Sequence, residues 1–239
     1  MKVDILAFGA HPDDVELGCS GSIALSISQG LTVGIVDLTR GKLGTRGSVE
    51  IRAKEAKKAA DLLNVSFRKN TGFRDGFFTN DETHQLILIQ LLRLHQPEIV
   101  LTNSIRDRHI DHGRASKLVS DACFLSGLNK IETSDEAGNN QAAWRPNHVY
   151  HYIQWQEIEP DFVVDISNFI DKKMQAVEAY KSQFYDASSS ASETPISSKN
   201  FLDSVRYRAQ NLGRLANVPA AEGFTVERTP IISSFKNFH

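Results

Sequence analysis

Short apolar runs alternate with longer segments rich in Ala, Leu, Glu and Lys along the first half of the chain. Continuous apolar runs of this length, many of them β-branched, are typical of strands buried on both faces of a parallel sheet. The segments between them have the periodicity and the capping residues of helices. The pattern predicts strands near 3–9, 31–39, 65–68 and 97–103, and helices near 16–29, 48–64, 82–95 and 111–125.

The second half is less regular, although it continues the same alternation. A polar excursion covers 126–145, and a Ser-rich stretch covers 188–195. The pattern predicts further strands near 148–155, 162–166 and 224–226, and helices near 171–184 and 201–215. Such an order predicts an α/β fold, a Rossmann-like three-layer α/β/α arrangement with a mostly parallel sheet and an elaborated C-terminal part. With no internal repeat and no clean linker, we expect 1–239 to form a single domain.

Composition and charge exclude several classes of protein. The net charge is −2 with both signs interspersed, which differs from the basic stripe of a nucleic-acid binder. No apolar stretch approaches the roughly 20 residues that span a bilayer, and the first residues lack a secretory signal pattern. Two cysteines outside any CxxC pattern do not make a disulfide scaffold. We therefore expect a cytoplasmic protein with no nucleic-acid partner and no membrane partner.

Two clusters of His and Asp follow two of the predicted strands. The first is Ala10-His11-Pro12-Asp13-Asp14, and the second is Asp107-Arg108-His109-Ile110-Asp111-His112. In open α/β sheets the carboxyl ends of the strands form the usual binding edge. Neutral imidazole and carboxylate are good ligands for a borderline cation such as Zn²⁺, although such a set also suits Fe²⁺. The sequence therefore predicts a mononuclear metal site with an attendant base and acid.

These two motifs resemble those of the PIG-L/LmbE-type zinc deacetylases, which remove acetyl groups from N-acetylglucosamine-containing substrates. Further segments are similar to the subgroup that deacetylates N-acetylglucosaminyl malate in bacillithiol biosynthesis, so the likeness spans nearly the whole chain. Those segments are Gly41–Gly47, Glu50-Ile51-Arg52, Asp111–Ala115, Ser182–Tyr185, Thr194–Phe201 and Ala221–Phe224.

The resemblance implies a metal site of His11, Asp14 and His112, which agrees with the interpretation of the clusters themselves. Three protein ligands leave a position open for water or a substrate oxygen, as a catalytic zinc requires. The resemblance also implies that Asp13 is the general base, one step along the chain from a ligand.

The second cluster supplies two further expected roles. His109 matches the family's electrophile, and we expect it to act as an imidazolium that stabilises the oxyanion of the tetrahedral intermediate. Asp111 lies between the two histidines, and we expect it to orient His109 or tune its basicity.

Arginines are the expected contacts of the substrate, because N-acetylglucosaminyl malate carries two carboxylates that Arg binds bidentately. Arg52 matches the family's substrate-binding Arg after the Gly-rich loop, and Arg46 and Arg108 are further candidates. The resemblance also implies a homo-oligomer, of which a hexamer is one form.

Two other functions remain open. The same chemistry could serve another N-acetylglucosamine conjugate, or the cleavage of another amide. A non-catalytic module could instead use the cation to bind a sugar. Asp13 distinguishes the last alternative, since a protein that only binds has no need of a base beside its metal ligands.

Overall fold

One sheet of seven strands, covered by six helices, makes up the described part of the chain. The computed structural model describes residues 1–231 and residue 234. The strands are β1 Ile5–Gly9, β2 Val33–Thr39, β3 Phe67–Phe73, β4 Ile99–Thr102, β5 His148–Tyr152, β6 Phe162–Asp165 and β7 Ala221–Val226. The helices are α1 Asp14–Ser28, α2 Val49–Leu63, α3 Glu82–His95, α4 Ile110–Ser126, α5 Ile170–Glu178 and α6 Lys199–Leu215.

The strand order β3-β2-β1-β4-β5-β7-β6 places β1 and β4 side by side. The first five strands of this order are parallel, and β7 and β6 continue the sheet in antiparallel pairing. The order reverses between β1 and β4, which is the point where open α/β sheets form their ligand crevice. Both His/Asp clusters therefore begin at neighbouring strand ends.

The core lies on both faces of the sheet, and alternate residues of β1 show this division. Leu6 and Phe8 pack in one cluster with residues of α3 and α4, such as Leu88 and Leu118. Ile5 and Ala7 pack in a second cluster with residues of α1. A third cluster joins α2, α5 and α6. The predicted α/β/α architecture with a mostly parallel sheet is confirmed.

β3 and α5 differ most from their predicted bounds. β3 extends to Phe73, because the polar side chains of Asn70 and Thr71 donate to the β2 carbonyls of Thr39 and Leu38. α5 ends at Glu178, short of the predicted 184. The backbone N–H of Ser182 donates to Glu55 of α2 instead of continuing the helix.

A close approach between α1 and β5 fixes the start of the first helix over the sheet. A Cβ on Gly18 would lie 2.1 Å from the ring of Tyr152, so the ring occupies the space that any other side chain would need. Tyr152 is fully buried, and its hydroxyl donates to the Phe8 carbonyl at 2.8 Å. This packing holds α1, and with it Asp14, against the strand ends.

None of the helices within the described residues is long and apolar enough to cross a bilayer.

Candidate metal centre and active-site cavity

A tight turn joins β1 to α1 and carries the first His/Asp cluster. The backbone N–H of His11 donates to Asp14 Oδ2 at 2.9 Å, which closes the turn. Asp13 stands at φ 121° and ψ −21°, a conformation that L side chains rarely adopt. Strain of this kind costs about 1–3 kcal/mol and is concentrated at functional sites. The turn therefore holds Asp13 in place at an energetic cost.

The structure brings the three predicted metal ligands together around the carboxylate of Asp14. His112 Nε2 lies 3.1 Å from Asp14 Oδ1, and His11 Nδ1 lies 3.5 Å from Asp14 Oδ2. His11 and Asp14 are buried in the turn after β1, and His112 reaches them from the first turn of α4. The three groups thus face one another across the edge between β1 and β4.

The outward nitrogens of the two histidines are each held by carboxylates. His112 Nδ1 lies 2.7 Å from Asp107, and His11 Nε2 lies 3.1 Å from Asp75 and 3.3 Å from Asp111. Metal-binding histidines usually present one nitrogen to the ion while the other is held by such a carboxylate. The arrangement leaves His11 Nδ1 and His112 Nε2, the two nitrogens beside Asp14, as the ones able to ligate.

Two trios of described side chains place ligand atoms within 4.8 Å of one another, and the predicted set of His11, Asp14 and His112 is not one of them. The trios are His11, His109 and His112, and His11, Asp75 and Asp111. Asp75 also accepts from the backbone N–H of Leu43, and Asp14 likewise accepts from the backbone N–H of His11, so these hydrogen bonds do not distinguish the two carboxylates as ligands. The set His11, Asp14 and His112 stays our prediction.

The charge balance of the cluster fits a bound cation. Burial by itself would lower the pKa of His112, but Asp14 and Asp107 raise it to about 9. Burial likewise opposes protonation of His11, yet Asp111, Asp14 and Asp75 raise its pKa well above the usual value. The carboxylates around the two histidines thus favour positive charge at this site. A divalent cation would supply that charge in place of the two protons on His11 and His112.

Asp14 is held by two amides that the sequence analysis missed. Asn103 Nδ2 donates to Asp14 Oδ2 at 3.0 Å, and Gln154 Nε2 donates to Asp14 Oδ1 at 3.0 Å. Asn103 Oδ1 also accepts from the backbone N–H of Ala10. Asn103 and Gln154 each lie at or near the end of a predicted strand, and that position was the only signal for either residue.

Asp13 is buried at the cavity wall and paired with Arg52. The distance from Arg52 Nη2 to Asp13 Oδ2 is 3.1 Å, and both side chains are nearly inaccessible. Burial raises the pKa of the Asp13 carboxyl to about 7, while the Arg52 guanidinium opposes part of this rise. A carboxylate with a pKa near neutrality is suited to take and return a proton.

The guanidinium of Arg52 bonds to other residues of the protein, whereas the sequence had suggested that it contacts the substrate. Besides Asp13 it donates to the carbonyls of Pro12 and Gly41 at 2.9 and 3.1 Å. A Cβ on Gly41, which has φ +63°, would lie 1.9 Å from Arg52 Nη1, so this loop needs glycine to admit the guanidinium. Arg52 lines the cavity but is engaged chiefly in positioning Asp13.

His109 caps α4 and points toward the other two histidines. Its Nδ1 accepts from the backbone N–H of Asp111 at 3.2 Å, so the neutral ring carries its proton on Nε2. Burial lowers the pKa of His109, and the neighbouring His11 and His112 lower it further. The ring is thus arranged as a neutral N–H donor, whereas an oxyanion-stabilising imidazolium would need the opposite shift.

The Asp111 carboxylate bonds to His11 and not to His109, although its charge raises the pKa of His109 as expected. The carboxylate contacts His11 Nε2, the backbone N–H of Gly76 and the guanidinium of Arg114. Only its backbone N–H contacts His109. The first turn of α4 directs the Asp111 side chain toward the loop after β3, so it orients His11 instead.

A cavity of about 190 Å³ opens over these groups. Its wall also includes Leu43, Gly44, Asp75, Gln183 and Ile196, together with Trp155, Phe201, Arg108 and Arg208. Arg108 lies exposed at the rim, with its guanidinium 4.7 Å from the centre of the Trp155 ring. Arg46 does not line this cavity and donates to Ser189, and its expected contact with the substrate stays a prediction.

Comparison with known proteins places this site in a family. The family model PIG-L, described as GlcNAc-PI de-N-acetylase, matches residues 6–123, which include both His/Asp clusters. The crystal structure of the conserved protein TT1542 from Thermus thermophilus superposes on this chain with a TM-score of 0.85. The two sequences are 34% identical, and the match covers 98% of each chain. The chain belongs to the PIG-L family.

Named relatives of this PIG-L protein act on different substrates. Diacetylchitobiose deacetylase of Thermococcus kodakarensis is 28% identical over 75% of this chain and 70% of its own length. A probable N-acetyl-alpha-D-glucosaminyl L-malate deacetylase 2 of Bacillus anthracis is 26% identical over 75% and 81%. A 4-oxalmesaconate hydratase of Pseudomonas putida is 27% identical over 74% and 73%. The chain is a deacetylase of the PIG-L family, and the relatives leave its substrate open.

Replacing Asp107 by Asn tests whether the outward carboxylates support metal binding in this PIG-L protein. We expect Zn²⁺ affinity, measured by competition with a chromophoric chelator, to fall by about 10–100-fold, because His112 loses its charged partner. Asp121→Asn, a change near the middle of α4 where the carboxylate pairs with Lys117, is the matched control. Equal affinities of the two variants would contradict the assigned role of Asp107.

Proposed function

We propose that this protein removes the acetyl group from N-acetylglucosaminyl malate, giving glucosaminyl malate for bacillithiol biosynthesis. One observation carries the hydrolytic part of the proposal: a buried carboxylate, Asp13, lines the same cavity as the His11, Asp14 and His112 set. A protein that only binds a sugar through a cation needs no such base. The malate deacetylase among the relatives and the guanidinium groups in the cavity wall support the substrate.

We propose Zn²⁺ as the cation, with Fe²⁺ as the alternative that two histidines and one carboxylate also suit. A divalent cation held by these residues would polarise the amide carbonyl and lower the pKa of water from about 15.7 toward 7. A homo-oligomer, of which a hexamer is one form, and a cytoplasmic location stay predictions.

The roles of the chain's own residues follow from their positions. Asp13, held by Arg52, accepts a proton from the attacking water and returns it to the departing amine nitrogen. His109 donates its Nε2–H to the former amide oxygen as negative charge develops there. Asn103 and Gln154 keep the Asp14 carboxylate in position during the reaction.

A neutral N-acetylated sugar is the second candidate substrate. The observation that favours it is the diacetylchitobiose deacetylase, whose identity to this chain, at 28%, is slightly higher than the 26% of the malate deacetylase. The two substrates share the acetamido group and differ in the charge of the remainder. A direct comparison between them therefore tests the specific part of the proposal separately from the chemistry.

The experiment is acetate release from N-acetylglucosaminyl malate and from N,N′-diacetylchitobiose. Each is measured with protein stripped of metal and with protein reloaded with Zn²⁺ or Fe²⁺. We expect release to disappear on stripping and to return on reloading, with the higher kcat/KM for the malate conjugate. A higher kcat/KM for diacetylchitobiose would overturn the malate proposal. Tight metal binding without release from either substrate would favour the binding-module alternative.

A further inference from the structure

Arg208 lies at the junction of two cavities. It stands on α6, seven residues after Phe201 and therefore on the same face of the helix. It lines the active-site cavity and also an adjoining cavity of about 350 Å³, which is enclosed chiefly by the loop after β5, by α6 and by the start of β7. Leu17, Gln154 and Trp155 are the other residues common to both walls. A substrate whose acetamido group lies at the metal centre would thus be able to extend to Arg208.

The guanidinium of Arg208 has few of the hydrogen-bond acceptors and ion-pair partners that a buried charge needs. Its Nη1 donates to the Gln154 carbonyl, whereas its Nε is buried without a hydrogen-bond partner. Among the described residues no carboxylate forms an ion pair with it. Burial lowers the pKa of Arg208, and Asp107 at longer range opposes this shift. A buried cation without a counter-ion is costly unless something else supplies the negative charge.

Other buried arginines of the chain differ from Arg208 in their partners or in their position. Arg52 pairs with Asp13, and Arg68 pairs with Glu16 and Asp37. Arg93 lacks a carboxylate, but its guanidinium donates to three carbonyls and to a threonine hydroxyl. The Nε of Arg52 and that of Arg46 are also buried without a partner, but Arg52 has the Asp13 carboxylate and Arg46 does not line the active-site cavity. Among these buried arginines, Arg208 combines the lack of a carboxylate partner with a position in that wall.

We propose that Arg208 is a specificity-determining residue that binds a carboxylate of the substrate at the junction of the two cavities. The enzyme then selects N-acetylated sugars with an anionic substituent over neutral ones. The free Nε–H and the second Nη provide the two donors of a bidentate contact with a carboxylate. Trp155, stacked on Phe201 with 5.2 Å between ring centres, lies beside Arg208 in the wall of both cavities. This inference rests on the proposed deacetylation and deepens it.

A purely structural role for Arg208 makes a different prediction. Its hydrogen bond to the Gln154 carbonyl holds a residue that contacts Asp14, so loss of Arg208 could disturb the metal site. That disturbance would affect all substrates alike, whereas loss of a carboxylate contact affects anionic ligands alone. A comparison of an anionic with a neutral substrate therefore distinguishes the two roles.

The test compares Arg208→Gln and Arg208→Lys with the wild-type protein on N-acetylglucosaminyl malate and N,N′-diacetylchitobiose. Arg206→Gln is the control, because Arg206 lies on the same helix and pairs with Asp171 at the surface. We expect Arg208→Gln to raise KM for the malate conjugate by about 10–100-fold, as for loss of a charged hydrogen-bonded pair. We expect a change of less than about 2-fold for the neutral sugar, partial recovery in Arg208→Lys and no change in Arg206→Gln.

Binding of L-malate to the Zn²⁺-loaded protein, measured by calorimetry, gives a readout that does not depend on turnover. We expect malate binding by the wild-type protein and by Arg206→Gln, and a loss of at least about 10-fold in Arg208→Gln. Equal KM changes on both substrates, or equal malate affinity of Arg208→Gln and the wild type, would overturn the proposal. If the wild type releases acetate from neither substrate, the proposed function fails, and malate affinity still decides the role of Arg208.

Discussion

Replacing Asp13 by Asn is expected to lower kcat for acetate release by about 10²–10⁴-fold, the usual contribution of a general base. The amide has nearly the same shape, and its oxygen can still accept from Arg52, but it cannot take a proton from water. Metal content and melting temperature are expected to stay close to those of the wild type. The measurements are steady-state kinetics, metal analysis and thermal unfolding on the same samples.

The control for this variant is Asp165→Asn, a carboxylate at the exposed end of β6 far from the two clusters in the sheet order. Its kinetics should match the wild type. An Asp13→Asn protein that keeps its metal and retains more than about a tenth of the wild-type kcat would exclude Asp13 as the base. Loss of metal together with activity would instead place Asp13 among the ligands.

His109→Ala is expected to lower kcat by about 10²–10³-fold, the typical cost of removing one donor to an oxyanion. KM should change little, because the donor acts on charge that develops only in the transition state. Steady-state kinetics over a range of substrate concentrations separates the two parameters. His109→Gln, which keeps an N–H donor, should recover part of the loss.

Equal kcat values for His109→Ala and the wild type would rule out the donor role. A Gln variant no better than the Ala variant would also count against it. The structure has already revised the form of this residue, since the backbone N–H of Asp111 occupies Nδ1 and leaves the neutral ring as the donor. The sequence alone had suggested a charged imidazolium, because the order of residues in the motif does not reveal which nitrogen is engaged.

Much of the fold was predictable because the strands that form its centre are continuous apolar runs. β1 and β4 are such runs, and the parallel pairing of their ends brings His11 and His112 together. β3 was underestimated because its polar side chains bond to the neighbouring strand, which no hydrophobic pattern reveals. The end of α5 depends on a tertiary contact of Ser182 with α2, and it was likewise hidden from a local pattern.

The candidate site divides in a similar way. Residues within the two motifs could be named from the sequence, whereas their partners come from distant segments. Asp75, in a loop after β3, had only the signal of its flanking glycines and its place at the same sheet edge. Arg52 was selected for its charge, yet that charge is used by Asp13. Arg208 had no signal, because only the packing of α6 against β7 and β6 brings it to the cavity.

The two halves of the chain contribute unequally to the cavity, and this has an evolutionary consequence. The family model covers 6–123, where the chemistry-bearing groups lie, but Trp155, Phe201 and Arg208 come from beyond it. Mutations in the later half can therefore change which substrates are accepted, provided that Gln154 keeps its contact with Asp14. Relatives that bear the names of a chitobiose deacetylase, a malate-conjugate deacetylase and a hydratase are what such a division of labour within one gene would produce.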